Sequence, residues 1–548
     1  MKRRKGLNME NILIGGAWPY ANGSLHIGHI AALLPGDVIA RYYRAKGAKV
    51  TYVSGSDCHG TPVTIRARQE GLTPAEVGER FHAEFAEVFA RLGFSYDLYT
   101  KTSDAHHKAF VRNFHRRLYE GEYVYEKTVK QARCPSCEKA LADRLILGKC
   151  PSCGEATRGD QCDACGAILD AETLPEARCA ECGSTLAFGE TKQLFIAISK
   201  MENELRAYLA AHPRWRKNAI AFTKRYIEEG LRDRALTRDL DWGVEVPRPG
   251  YEDKRVYIWA ENVLGYLSAA ARVCQARGDS FAELFGDGAR HYYVHGKDNI
   301  PFHTIILPAL LIGHGAGYRL PDDIVSSEYL TLEGRKISTS GNWAIRAGDI
   351  ASRYNPDALR YFFIANGPEK RDTDFSFREF IERNNGELLG AYGNLVNRTL
   401  AFVEKYFGSA VPAGTPDAAL SSRITELFDS VGEKIEAGSL KDALEAAFDL
   451  ARFSNKYFDE KQPWKTRLGD PARCADAIYN CVQLIACLAV LLRPFLPFSG
   501  EKLAAWLGLA DEWRPQSVPA GHRLPKVSIL FERLDKSVAG EERARLGF

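Results

Sequence analysis

Eight cysteines stand as four Cys-x-x-Cys pairs, Cys134/Cys137, Cys150/Cys153, Cys162/Cys165 and Cys179/Cys182, within one stretch of the chain. The sequence has 13 cysteines, and the rest (Cys58, Cys274, Cys474, Cys481 and Cys487) are scattered singly. That distribution is a metal-site pattern, not a disulfide framework. Each pair can turn two thiolates toward one ion. Two pairs complete a closed tetrahedral site of four thiolates, which is a structural zinc site. All four pairs fit two Zn2+ ions, and they can be matched in three ways. The short gap between Cys153 and Cys162 favours the inner pairs sharing one ion and the outer pairs the other. Residues 126–190 are rich in Cys, Gly, Asp and Ala with few apolar runs. Such a module depends on metal in place of a core and should unfold without it.

The segments on either side of this module alternate strand and helix. "NILIGG" is a short apolar run, "HIAALLPGDVIARYYRAKG" has helical spacing and stops at Gly47, and "KVTYVSGSD" is β-rich. Together they open a parallel βαβ unit. A helical region follows from Pro74 to about Gly121. Residues 191–245 read as mixed, mostly helical. "KRVYIWAENVLGYLSAA" and "RHYYVHGKDNIPFHTIILPALL" again read as strand-to-helix transitions, so the α/β fold is expected to resume after the insertion. Beyond Pro356 the strand signal fades. Leu420, Ile424, Leu427, Phe428, Val431 and Ile435 share one helical face, as do Leu440, Leu444, Phe448 and Ala451. Residues 376 to about 535 therefore read as an all-helical bundle.

The 548 residues suggest three or four domains. The expected boundaries are 9–125 and 246–325 for the two α/β halves, 126–245 for the insertion, 326–375 for a linker and 376–548 for the bundle. The start "MENILIGG" reads naturally from Met9, with residues 1–8 as an extension. Net charge is +3, so no global field marks a nucleic-acid binder, although a local patch is compatible with a polyanion. No apolar run of secretory-signal type follows the charged N-terminus. The most apolar run, Leu484 to Leu492, is far short of the roughly 20 residues a membrane helix needs. A soluble, cytoplasmic protein without a membrane partner is expected.

"WPYANGSLHIGHI" places His26 and His29 where the first strand leads into a helix expected to begin near Leu25. Metal binding and core packing are alternatives for this pair, but no carboxylate or third histidine is near in sequence. A helix N-terminus offers free N–H groups and a positive dipole end to a phosphate. Histidines on its first turn can donate hydrogen bonds to charge developing on a transferring phosphate. Gly23 and Gly28 allow close approach. Far down the chain, "LTLEGRKISTSGNW" sets Arg335 and Lys336 before three hydroxyl residues, in a loop expected after a hairpin. Such a loop can close over pyrophosphate.

"HIGH" (His26 to His29) and "KISTS" (Lys336 to Ser340) resemble the two signatures of class I aminoacyl-tRNA synthetases. "PYANGSLHIGH", "DCHGTPV", "TRDLDWGVEVP", "YIWAENVLGYLSA", "HGKDNIPFH" and "GNLVNR", with the cysteine pairs, are similar in order to the methionyl-tRNA synthetase family, from about Glu10 to Pro497. The resemblance implies a split Rossmann-type parallel sheet carrying the zinc-knuckle insertion, followed by an α-helical anticodon-binding bundle. It implies activation of L-methionine by ATP with Mg2+ and transfer to tRNA(Met) with a CAU anticodon. His26 and His29 would stabilise the transition state, and Gly28 would make room for adenine. Lys297 and Asp298 would serve ATP, Lys336 would bind pyrophosphate oxygens, and the Thr339 hydroxyl would bond phosphate. Asp57 would hold the substrate ammonium. Ala17, Trp18, Tyr20, Trp259, Asn262, Tyr266, Asn299 and His303 would form the methionine pocket, where aromatic faces suit a thioether. Asn394, Arg398 and Trp464 would read the anticodon by stacking and hydrogen bonding.

Some positions depart from that pattern. Thr339 replaces a lysine, Gly341 stands where a basic residue is common, and Asn262 and Asn299 bring amides to a usually more apolar pocket. The departures predict altered kinetics or inhibitor binding. Isoleucyl, leucyl and valyl synthetases carry a large editing domain that the short insertion here does not match. Cysteinyl synthetase uses zinc at its amino acid, unlike these cysteines. A non-catalytic paralogue and a zinc-ribbon nucleic-acid binder are the remaining alternatives. A monomer is expected, because no further dimerising domain follows the bundle.

Overall fold

The computed structural model describes residues 10–137, 139–141, 145–159, 162, 169, 171–338 and 341–547. Met9, Cys165 and Thr339, each singled out in the sequence, lie outside the described residues. Strands β1 (Asn11–Gly16), β2 (Lys49–Ser56) and β3 (Leu98–Lys101) join the strands Ala289–Gly296 and Asp323–Ser327 in one parallel sheet. The order across the sheet is 323–327, 289–296, β1, β2, β3. Ile14 of β1 lies opposite Tyr292 on one side and Tyr52 on the other. Helices cover both faces, so the central strands are buried almost throughout. Ile12 and Ile14 enter the core shared with the helical bundle, and Leu13 enters the core on the opposite face.

The chain moves outward from β1 to β2 and β3, then returns on the other side of β1. Its topological switch point is therefore at the carboxyl ends of β1 and Ala289–Gly296, where such sheets bind ligands. Helix α1 (Ile27–Ala45) leaves from that point and buries Ile30, Leu34, Val38 and Tyr42 along one side. After β2 come α2 (Thr61–Glu70), α3 (Pro74–Arg91) and α4 (Ala105–Leu118). The short edge strand β3 thus interrupts a region expected to be helical.

The insertion contains an element that periodicity did not reveal. β4 (Val124–Cys134) pairs antiparallel with Ala187–Ile196 along their length, from Val124 opposite Ile196 to Arg133 opposite Ala187. Most of the ribbon is exposed on both sides, so its sequence has no apolar alternation to read. Residues 191–196 are accordingly strand, and helix begins only at Glu202–Ala211 and Lys217–Glu228. "KRVYIWAENVLGYLSAA" also differs from expectation. Its strand is confined to Arg255–Val256, which pairs with Thr237–Arg238 outside the parallel sheet, and the rest is helical through Gly265–Arg277. A short apolar run rich in aromatic residues fits a buried helix as well as a strand.

The C-terminal region is built from the helices Asn394–Tyr406, Ala418–Glu436, Leu440–Lys461, Pro471–Leu492 and Pro497–Leu507. The expected helical faces are buried, except that Leu427 is half-buried. The bundle is not helical to residue 535: the chain from 508 to 536 is irregular and a last helix spans Ser537–Arg545. Pro471–Leu492 extends the apolar run read from the sequence to 22 residues, with mean hydropathy 1.8 over its most apolar window. By length and composition it could cross a membrane, but 78% of that window is buried within the fold, as befits the core helix of a bundle.

One buried ion pair ties these parts together. Arg360, on the helix Pro356–Ala365, donates to Asp37 of α1 at 2.7 Å. It also donates to the carbonyls of Phe495, Pro494 and Leu92 at 2.8, 3.1 and 3.0 Å. Asp37 accepts from Arg41 and from the Ser95 amide and hydroxyl. Burial pushes the Asp37 carboxyl up, yet Arg360, Arg41 and Ser95 together hold it below its ordinary range. Arg360→Met strands the Asp37 charge and should cost about 3–5 kcal/mol in urea unfolding. Asp37→Asn combined with Arg360→Met should cost less than the two single losses added. Strict additivity would show that the pair is not coupled.

Candidate active site

His26 is the N-cap of α1, one position outside the first turn, and not part of a helix starting near Leu25. Its Nδ1 accepts from the Gly28 N–H at 3.1 Å, while His29 Nδ1 accepts from the His26 N–H at 3.1 Å. Two imidazoles thereby make the reciprocal cap usually built from a hydroxyl residue and a glutamate. Because each Nδ1 accepts, each ring proton sits on Nε2. The rings lie with centroids 3.9 Å apart. Burial, then the neighbouring His29, lowers the His26 pKa to about 3. Burial lowers His29 to about 4, against the opposing hydrogen bond from His26. Both are therefore neutral Nε2–H donors near pH 7. Gly28 is needed for this geometry: a Cβ there would meet His26 Cε1 at 2.9 Å.

The second signature meets the first through the backbone. Arg335 and Lys336 are not in a loop after the hairpin. They form its return strand, with Lys336 opposite Thr331, and both are exposed. Ser338 and Trp343 then exchange backbone hydrogen bonds at 2.8 Å, and the Gly341 N–H reaches Ser338 Oγ at 3.1 Å. Beyond it, the Ile27 N–H donates to Ile345 O at 3.1 Å and the Ala347 N–H to Leu25 O at 2.7 Å. Residues far apart in sequence thus form one wall. A cleft of about 590 Å³ opens there, lined by His26 and His29 with Tyr20 and Gly23.

Tyr329, which sequence reasoning missed, links the cationic motifs. Lys297 Nζ lies 3.8 Å and Lys336 Nζ 5.9 Å from its ring centre, and its hydroxyl donates to Asp298. Lys297 is also paired with Glu328 at 2.7 Å and Asp372 at 3.0 Å. Its ammonium is already shared between two carboxylates in this structure.

Most of the residues assigned to methionine fall into two linked sets, Tyr20 with Asp57 and Asn262, and Tyr266 with His303 and Asn299. Ala17 donates its N–H to Val294 O at 2.9 Å, and Tyr20 bridges Asp57 in parallel. Asp57 accepts from Asn262 Nδ2 at 2.5 Å and from the His59 N–H at 3.1 Å. Burial, reinforced by the nearby Glu261 carboxylate, pushes the Asp57 carboxyl well above its ordinary range. Glu261 itself is hydrogen-bonded to His59 and lies 3.5 Å from His107. Among the described residues Asp57 has no cationic partner, a charge that an ammonium group would supply. Trp18 and Tyr266 are core residues, 6% and 1% exposed, whereas Tyr20 is 38% exposed and Trp259 is half-buried against Phe302. Gly55 and Gly265 make room for the Trp18 ring: a Cβ at either would lie within 2.7 Å of it. His303 donates Nδ1–H to Asn299 O and accepts the Tyr266 hydroxyl at Nε2, both at 2.8 Å.

At the tip of the ribbon, Cys134, Cys137, Cys179 and Cys182 bring their sulfurs within 4.8 Å of one another. Cys150, Cys153 and Cys162 form a second group, and Cys165 lies outside the described residues. Both groups follow the expected inner and outer pairing. Gly154 and Gly183, directly after the second cysteine of their pairs, take φ of 79° and 74° to complete the turns. In the bundle, the Arg398 guanidinium lies 4.1 Å over the Phe458 ring and pairs with Asp459 at 2.9 Å. Trp464 stacks beside Phe458 and is 41% exposed, and Asn394 is exposed one turn before Arg398.

Residues 12–400 match the family model of tRNA synthetases class I (M), which accounts for the parallel sheet with its paired signatures. Residues 408–546 match the anticodon binding domain of methionyl tRNA ligase. The chain is 52% identical to methionine–tRNA ligase 1 of Alkaliphilus oremlandii, covering 98% of this chain and 100% of the relative. It is 54% identical to a methionine–tRNA ligase of Bacillus mycoides, covering 96% and 97%. The Mycobacterium tuberculosis methionyl-tRNA synthetase in complex with methionyl-adenylate superposes with a TM-score of 0.79 at 25% identity, covering 96% of this chain and 100% of that one. The chain belongs to the methionine–tRNA ligase family.

His303 yields a pH prediction. Burial lowers its pKa from 6.5 to about 4 in the fold. Between these values the unfolded chain binds more protons, so His303 removes stability as pH falls from 6.5 toward 4. The loss reaches up to about 1.4 kcal/mol per pH unit. His303→Gln should flatten that part of the urea-stability profile. An unchanged slope would mean that His303 is already protonated in the fold.

Proposed function

We propose that the crevice carries out the family's two-step reaction through the residues described above. A methionine carboxylate oxygen attacks the α-phosphorus of ATP, the bond to the β-phosphate breaks, and methionyl-adenylate and pyrophosphate form. The terminal adenosine hydroxyl of tRNA(Met) then attacks the methionyl carbonyl carbon, and AMP leaves. The observation that carries this reading is the pair of neutral, fixed imidazoles at the start of α1. Their Nε2–H groups can donate to charge growing on the α-phosphate without reorganising, which favours the transition state over the ground state. No protein nucleophile is required, so catalysis is positioning plus charge stabilisation.

In this reading Lys336 serves the pyrophosphate, with the Thr339 hydroxyl as an added donor. Gly28 serves the adenine side, and Lys297 with Asp298 serves ATP after Lys297 exchanges a carboxylate partner. Magnesium enters with ATP, held mainly by phosphate oxygens. Asp57 receives the methionine ammonium, oriented by Asn262. Tyr20 and Trp259 provide accessible aromatic surface, while Ala17, Trp18, Tyr266, Asn299 and His303 shape the pocket behind it. In the bundle, Trp464 stacks on an unpaired base of the CAU anticodon, with Asn394 and Arg398 hydrogen-bonding to base edges. The chain acts as a cytoplasmic monomer divided at the boundaries given above.

The four outer cysteines suit zinc. Tetrahedral ligation at about 2.3 Å sets neighbouring sulfurs about 3.8 Å apart, and the Cys134–Cys182 and Cys137–Cys179 separations are 3.3 and 3.9 Å. Cys150, Cys153, Cys162 and Cys165 would hold a second ion. Zinc would supply a cross-link where the core is small, since among the described residues the module's apolar cluster is limited to residues such as Leu141, Ile146 and Leu174. Metal analysis should give two zincs per chain. Chelation should release hydrogen-exchange protection in residues 134–182 while β1 and β2 stay protected. Retained protection without metal would remove zinc from this reading.

Purified, zinc-replete protein should catalyse methionine-dependent ATP–pyrophosphate exchange and charge tRNA carrying CAU. Changing the anticodon should abolish charging. His29→Ala should lower the exchange rate by about 100-fold or more with little change in methionine affinity. Equal losses in both would give the histidine only a structural role, and no exchange by the unaltered protein would defeat the reading.

A further inference from the structure

We propose that Arg346 is a further substrate-binding residue of this cleft, gripping the β- and γ-phosphates of ATP and the departing pyrophosphate beside His26. The inference rests on the function proposed above. It starts from a backbone observation: Arg346 and His26 form an antiparallel bridge. Residues directly opposite in such a pair project to the same face, with Cα atoms roughly 4.5–5.5 Å apart. Both residues accordingly line the same cleft.

The charges around that cleft give Arg346 its role. The paired imidazoles are neutral, and a triphosphate is polyanionic. Arg66 and Arg80 also line the cleft, but both are tied at 2.6 Å to Glu70, which lines it with them. Lys297 is held by Glu328 and Asp372, and the Arg335 guanidinium lies 4.2 Å over the Trp343 ring. Arg346 is exposed, and its side chain has no hydrogen-bond or ion-pair partner among the described residues. Its guanidinium is therefore available to bind phosphate oxygens without first breaking an ion pair. A planar fork of N–H groups suits two such oxygens at once, giving strong charge-assisted bonds. The backbone hydrogen bonds of Ile27 with Ile345 and of Ala347 with Leu25 fix the base of this side chain on both sides.

Calorimetric titration with inorganic pyrophosphate tests the assignment without requiring turnover. Arg346→Ala should weaken pyrophosphate binding about tenfold, with methionine affinity unchanged, and Arg346→Lys should recover part of the loss. In exchange assays the KM for pyrophosphate should rise by a similar factor. Equal pyrophosphate affinity in the unaltered and Arg346→Ala proteins would overturn the proposal, as would a matching loss of methionine affinity or no pyrophosphate binding by the unaltered protein. Failure of methionine-dependent exchange alongside Arg346-dependent pyrophosphate binding would defeat the functional reading and leave this one standing.

Discussion

The contact between Arg360 and Asp37 is the joint on which the arrangement of the molecule depends. Asp37 lies on the helix whose N-terminus carries His26 and His29. Arg360 lies on the helix that follows the second signature, and its other hydrogen bonds reach the turn between two bundle helices. One guanidinium thus links α1, the helix Pro356–Ala365 and the C-terminal bundle. Both charges are fully buried, so neither can leave the contact cheaply. The apolar core follows the same path, running without a break from β1 through α1 into the bundle. Separate pieces of sequence are held as one body by packing and one satisfied polar network.

The site itself is governed by how its polar groups are occupied. Nδ1 of both signature histidines is consumed in capping α1, which fixes the tautomer and leaves Nε2 for a ligand. Burial keeps the rings neutral, so they contribute directed donors in place of charge. Asp57 shows the converse. Its neighbour Glu261 is met by His59 and His107, whereas Asp57 has the Asn262 amide, the His59 N–H and the Thr102 hydroxyl but no cation among the described residues. A buried carboxylate left this way is stabilised by any group that brings positive charge to it.

The cysteine module follows a different principle. It stands at the end of an exposed two-stranded ribbon and has a small apolar cluster of its own. Tight glycine-assisted turns bring the cysteine sulfurs together there, close enough to share a metal ion.

The sequence alone determined what depends on local pattern. The strand–turn–helix around "HIGH", the inner and outer grouping of cysteines and the amphipathic bundle helices are written in spacing that survives without tertiary context. Family resemblance supplied the reaction and the residues expected at the pocket. The tertiary structure decided which groups are free to act. No spacing indicates that Lys297 is shared between Glu328 and Asp372, that Tyr329 lies between the two lysine motifs, or that Gly55 and Gly265 make room for Trp18. The ribbon was illegible because strands exposed on both faces have no apolar period. The mostly helical segment around Trp259 was misread because a buried aromatic run fits either state. Asp37 and Arg360 gave only a weak sign, a charge within an apolar helical pattern, because a buried ion pair is defined by its partner and its partner is distant in sequence. Local periodicity is set by neighbours along the chain, whereas hydrogen-bond occupancy, burial and charge pairing are set by neighbours in space.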